Sequence, residues 1–202
     1  MCNQLVLGNR HLLISMDEGY IQEILEHHSA KAYEKLIEKY QNRVFTLCYR
    51  IIKNREEAEE VAQDVFMKSF RELGKLKDPK KFPNWLMKIT YTKAIDRTRI
   101  KSVSISEINK VKEEVLKEER TPLEETIIQD RKQIMKKAIG RLEKTEASLI
   151  TLYYLEDLPV KEIAEIVEMT ISNVKVKLFR ARKNLKSIIA ALTKTDLKDF
   201  IE

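Results

Sequence analysis

Apolar residues recur along this chain at the three- and four-residue spacing of helices. From Ser29 onward, Tyr33, Leu36, Ile37, Tyr40, Val44, Leu47, Cys48 and Ile51 keep that rhythm, which places them on one face of a helix of about five turns. Asn54-Arg-Glu-Glu57 then resembles a capping box. Behind it, Ala58, Val61, Ala62, Val65, Phe66, Ser69 and Leu73 share one side of a second helix, with Gly74 expected to end it. Lys75 to Phe82 reads as a basic loop, and Pro83 opens a third helix through about Arg99. Beyond Thr121-Pro122, helices are expected to about Ile139, from Thr145 to Tyr154, and as a closing pair.

The closing pair is the most specific local pattern. Pro159 suits a first helical turn, where its missing N–H is no loss, and Ile163, Ala164 and Val167 form the apolar face behind it. After a break near Met169, Thr170 can cap a helix whose apolar face is Ile171, Val174, Leu178 and Leu185. Two short helices around a tight turn, the second cationic, form the pattern of a DNA-reading helix-turn-helix. Residues 169–186 hold six Lys or Arg and no Asp or Glu, whereas a face built for solubility mixes both signs.

Strand-type alternation is hard to find, and 35% charged residues with four Gly and four Pro fit helices on short connections. The expected fold is all-α: two small helical domains joined by a flexible linker, the C-terminal one a helix-turn-helix. The expected boundaries are a disordered leader over 1–15 (with a natural start near Met16), domains at 16–100 and 122–192, a linker at 101–121 and a short helical tail at 193–202. The linker reading rests on five acids, five bases and no aromatic residue between 101 and 120.

Charge and residue chemistry narrow the function. A net charge of +6 permits a polyanionic partner, and its clustering matters more than its size. Cys2 and Cys48 are too few and too far apart for a disulfide framework, which suits a reducing cytosol, and Cys48 falls on an apolar face. His11, His27 and His28 make no metal pattern with nearby Cys or carboxylates, so no metal or other cofactor is expected. No apolar run reaches the ~18 residues of a transmembrane helix. No nucleophile–base pair or phosphate loop points to an enzyme.

Two further constellations stand out. Glu56, Glu57, Glu59, Glu60, Gln63 and Asp64 line the solvent side of the second helix; composition alone leaves a solvated face or a protein-docking face. Between Gly74 and Arg99, eight Lys or Arg surround Phe82, Trp85 and Tyr91 with only Asp78 and Asp96 opposing them. Cations near rings suit melted or single-stranded nucleic acid, where stacking contributes ~1–3 kcal/mol per base. Trp85, beside Leu86 and Ile89, is equally readable as core.

In this order, three segments resemble one family: Glu59-Glu-Val-Ala-Gln-Asp-Val-Phe66, Phe82-Pro-Asn-Trp-Leu86 with Ala94-Ile-Asp96, and Glu162-Ile-Ala-Glu-Ile166 followed by Val174-Lys-Val-Lys-Leu-Phe-Arg-Ala-Arg182. They are similar to regions 2.2, 2.3–2.4 and 4.2 of bacterial RNA polymerase sigma factors of the extracytoplasmic-function type. The resemblance implies a cytoplasmic transcription initiation factor for stress or envelope-response genes, held in check by an anti-sigma factor that is typically membrane-linked. It implies that Glu60, Gln63 and Asp64 contact the β′ clamp of core polymerase. Lys75, Leu76, Lys77, Lys88, Thr92, Lys93, Arg97 and Arg99 would meet the downstream (−10) promoter element, partly by capturing a flipped base. Ser172, Asn173, Lys175, Val176, Lys177, Arg180 and Arg182 would meet the upstream (−35) element, and the linker would pass through the polymerase.

The chain also departs from the pattern. Leu76 stands where an aromatic residue is common, Thr92 where an Asn is usual, Val176 where a small polar residue is common, and Glu168 at the usual Gly of the turn. A conventional helix-turn-helix regulator working without polymerase would explain residues 158–186 but leave the acidic and aromatic-basic segments idle. A helical adaptor for acidic proteins is the third reading, distinguished by salt-insensitive binding.

Overall fold

The computed structural model describes residues 16–104 and 124–198. Among these residues there are helices and no strand. Residues 16–27 form α1; α2 is Ala30–Ile52, α3 Arg55–Glu72 and α4 Phe82–Ser104. The second unit holds α5 (Glu124–Arg141), α6 (Lys144–Ile150), α7 (Val160–Val167) and α8 (Ile171–Lys198). The leader at 1–15 and residues 105–123 lie outside the described residues, as does the end of the expected tail.

Local chemistry sets the helix starts. Ser29 Oγ accepts from the Ala32 amide at 3.2 Å and begins α2. Asn54 Oδ1 accepts from the Glu57 amide at 2.9 Å and begins α3, with Glu56 and Glu57 complementing the dipole in its first turn. Thr170 Oγ1 accepts from the Asn173 amide at 3.2 Å ahead of α8. Pro159, expected within the first turn of α7, instead holds the N-cap position in extended backbone.

Other element ends differ from the periodicity. Gly74 does not stop α3 with a left-handed turn; the helix tightens into a 3₁₀ turn over Leu73–Lys75, and no described glycine has positive φ. The loop 75–82 contains a second 3₁₀ turn, Pro79–Lys81, whose Asp78 side chain caps Lys80 N. α4 continues past Arg99 to Ser104. α6 passes into a wide π-type turn, Thr151–Leu155, closed by Glu156 N to Thr151 O at 3.1 Å. α8 runs unbroken through 193 to Lys198, so the tail residues it contains are a continuation of the recognition helix.

Packing of α2 with α3 and α4 builds the first core. Leu36, Tyr40, Val44, Leu47 and Cys48 are buried from α2, Ala58, Val61 and Val65 from α3, and Leu86, Met87 and Ala94 from α4. Burying a large apolar side chain stabilises by roughly 1.5–3 kcal/mol. Phe82 is buried as well, its ring 5.5 Å from Tyr40 and edge-on. Polar ties are internal: Tyr33 Oη donates to Phe66 O at 2.6 Å, and Tyr40 Oη donates to Asp17 Oδ2 at 2.6 Å. Asp17 is fully buried and also receives Lys39 Nζ at 2.6 Å, which fastens α1 to α2.

The second core joins Ile139, Leu142, Leu149, Ile150 and Leu152 to Ile163, Ile166, Val167, Val174, Leu178 and Ala181. Ile171, expected on the apolar face of α8, is 45% exposed at the first position of that helix, and Ala181 takes a buried place instead. The two units also touch: α2 lies against α6, and α4 against α7.

Candidate nucleic-acid interface

Three surfaces carry the residues singled out above. The first begins at Thr170, whose cap starts α8 where α7 ends. Glu168 makes the turn in left-handed backbone, φ 55°, and Met169 N bonds back to Ala164 O at 3.0 Å. Val174, Leu178 and Ala181 face the core, so Ser172, Asn173, Lys175, Val176 and Arg180 stand on the exposed side, with Lys177 at its edge. Arg182 is turned from this group: its guanidinium lies over the rings of Tyr153 and Tyr154, 5.1 and 5.6 Å from their centroids. Such cation–π seating fixes a side chain that sequence alone leaves free. Phe179, to which the sequence reading gave no role, is 68% exposed beside Val176. The spacing of Val174, Leu178 and Leu185 already places it off the buried face.

α3 and α4 make the other two surfaces, and the structure brings them together. Glu60 accepts from Arg97 Nη1 at 3.0 Å, and Asp64 lies 3.6 Å from Lys93 Nζ. The acidic face and the cationic helix are therefore neighbours joined by paired charges. Gln63 stays exposed between them. Exposed pairs of this kind contribute little to stability, so both partners remain available to other ligands.

Around the loop, Lys75 and Lys77 are exposed on either side of Leu76, which is half-buried against the core. Leu76 N is held by Leu73 O at 3.0 Å. Trp85 is half-buried, its ring 6.0 Å from Phe82, so it has a core edge and an outward edge. Thr92 is exposed, but its hydroxyl donates to Lys88 O at 2.9 Å. Arg99 lies 3.9 Å from Asp96 in the same helix. Lys88 reaches out of its own unit to Glu168, Nζ to Oε1 3.0 Å. Burial pushes the Tyr91 hydroxyl above its usual range, so that ring stays neutral.

The arrangement exposes cations and apolar side chains on α8 and around the loop, and carboxylates on α3. Among the described residues no group of three or more His, Cys, Asp or Glu could hold a metal ion, and no helix is long and apolar enough to cross a membrane.

Comparison with known proteins finds a family match in each of the two units. Residues 36–102 match the Sigma-70 region 2 family and residues 132–185 the Sigma-70, region 4 family. The chain is 25% identical over 163 residues to the ECF RNA polymerase sigma factor SigW of Bacillus subtilis, covering 77% of this chain and 87% of SigW. It is 22% identical over 189 residues to the RNA polymerase sigma-H factor of Pseudomonas aeruginosa, covering 90% and 98%. Its fold is similar to the sigma factor RpoE of Bartonella quintana, solved with the anti-sigma factor NepR, at TM-score 0.64 and 18% identity over 80% of this chain and 98% of RpoE. Matched through both regions in order, the chain belongs to the sigma-70 family of RNA polymerase sigma factors, in its extracytoplasmic-function class.

Proposed function

We propose that this alternative sigma factor divides its work among the three surfaces described above. The pairing of Glu60 with Arg97 and of Asp64 with Lys93 carries the reading. It sets the carboxylates of α3 edge to edge with the cations of α4 on one packed four-helix unit. Glu60, Gln63 and Asp64 dock on the β′ clamp of core polymerase, and docking thereby fixes where α4 meets DNA. Lys93, Arg97 and Arg99 hold phosphates of the opened downstream element, where each neutralised phosphate adds to a salt-dependent affinity. Lys75, Leu76 and Lys77 form the loop beside it, with Lys88 and Thr92 behind; a base turned out of the stack costs a few kcal/mol, which the contacts must offset.

On α8, Ser172, Asn173, Lys175, Val176, Lys177 and Arg180 enter the major groove of the upstream element. A bidentate Arg180 contact to a guanine discriminates by ~1–3 kcal/mol, and Val176 and Phe179 offer apolar contact to thymine methyls. Arg182, held on the tyrosines, serves the phosphate backbone at most. The factor acts in the cytoplasm on stress or envelope-response promoters. An anti-sigma factor restrains it, a reading supported by the relative solved with one.

The test is promoter selection. Core polymerase reconstituted with this chain selects from a randomised duplex library; two conserved blocks at a fixed separation are expected. A palindromic site, bound equally well without polymerase, would overturn the proposal in favour of a conventional helix-turn-helix regulator.

A further inference from the structure

The contact between the two units follows one polarity. Four cations of the first unit donate to the second among the described residues. Arg43 Nε, on α2, pairs with the Glu156 carboxylate, whose side chain is only 5% exposed. Arg50 Nη1 donates to Lys136 O at 3.1 Å, in the second half of α5, and Lys53 Nζ to Leu142 O at 2.9 Å, just past the end of that helix. Lys88, on α4, pairs with Glu168 at 3.0 Å. In the other direction, Lys144 donates to Thr98 Oγ1 at 3.3 Å.

The acids of this contact sit beside or at left-handed backbone. Glu156 closes the π-type turn and precedes Asp157, which has φ 50°. Glu168 itself has φ 55°, a conformation that favours Gly. A glutamate held there gives up backbone comfort and supplies the carboxylate that reaches Lys88. The same contact lays α7, the leading helix of the helix-turn-helix, along α4. One of the cations assigned to DNA is thus already neutralised from within.

We propose that the free chain is self-closed: Glu156 on Arg43 and Glu168 on Lys88 clasp the second unit over α4, and nucleic-acid phosphates compete with Glu168 for Lys88. Because the clasp is made of charges and carbonyl hydrogen bonds, salt and polyanions weaken it. The competition with DNA rests on the assignment of α4 proposed above; the clasp itself does not.

The test measures the separation of the units in the full chain. Spin labels are placed at Glu34→Cys and Ser187→Cys in a Cys2→Ser background, both positions being exposed, and distances are read by pulsed electron paramagnetic resonance. A narrow distribution is expected at low salt, lengthened and broadened by Arg43→Glu and restored when Glu156→Arg is added. Glu168→Gly, which suits the left-handed turn and so preserves folding, is expected to lengthen it as well. Titrating a single-stranded oligo-dT is expected to lengthen it in the parent chain. A distribution already broad in the parent, or one unmoved by both Arg43→Glu and Glu168→Gly, would overturn the clasp. Failure of the sigma assignment would show separately, as loss of the two-block promoter, with these distances unchanged.

Discussion

Cys48 shows how far environment governs a single residue. It is fully buried on α2, and burial pushes its thiol up to about 12. Since the thiolate is the nucleophile, iodoacetamide at pH 8 should leave Cys48 of folded Cys2→Ser protein unmodified and alkylate it in denaturant; rapid native labelling, read by mass spectrometry, would contradict the burial. Arg180 and Lys183 provide a second residue-scale contrast. Both are exposed on α8. Arg180→Ala should cost about 1–3 kcal/mol on the preferred upstream sequence and relax specificity, whereas Lys183→Ala should weaken all sequences alike and lower the salt slope by about one. Fluorescence anisotropy on matched and scrambled duplexes distinguishes the two.

Among elements, the caps were legible and the exits were not. Asn54 and Thr170 each have a side-chain oxygen at the right offset from an apolar run, and each makes that bond, as does Ser29, which the sequence marked only as the start of the periodicity. Thr170→Ala should therefore destabilise the second unit by ~1 kcal/mol, read as a lowered Tm. Helix ends depend on what the chain packs against. Gly74 was expected to end α3, and the helix gives way there to a 3₁₀ turn without positive φ. The π-type turn after Ile150 leaves no mark in a three-and-four periodicity, since one extra residue shifts the face without changing residue types. Glu168 was legible as a departure, because the turn requires left-handed backbone whichever residue occupies it. Glu168→Gly should relieve roughly 1–2 kcal/mol of strain and forfeit at most about 1 kcal/mol from the exposed Lys88 pair, so thermal unfolding should shift upward.

At the scale of the molecule, both cores were readable from the helical faces, because burial there follows from spacing. The charged links were not. Glu60 and Arg97, Asp64 and Lys93, and Arg43 and Glu156 are far apart along the chain, and only the packing of α3 on α4 and of one unit on the other makes them partners. Sequence therefore separated an acidic surface from a basic one where the folded chain sets them side by side. Phe179 falls outside the spacing of Val174, Leu178 and Leu185, and the folded helix leaves it exposed.

That adjacency is the centre of this account, since it makes polymerase docking the event that positions α4. It is tested most directly by mixing the purified chain with sigma-free bacterial RNA polymerase and following the complex by gel filtration. Co-elution is expected for the parent chain and loss of it for the Gln63→Ala, Asp64→Ala double variant, with the affinity of α8 for upstream duplex DNA unchanged. Undiminished capture by the double variant would contradict the role given to the α3 face.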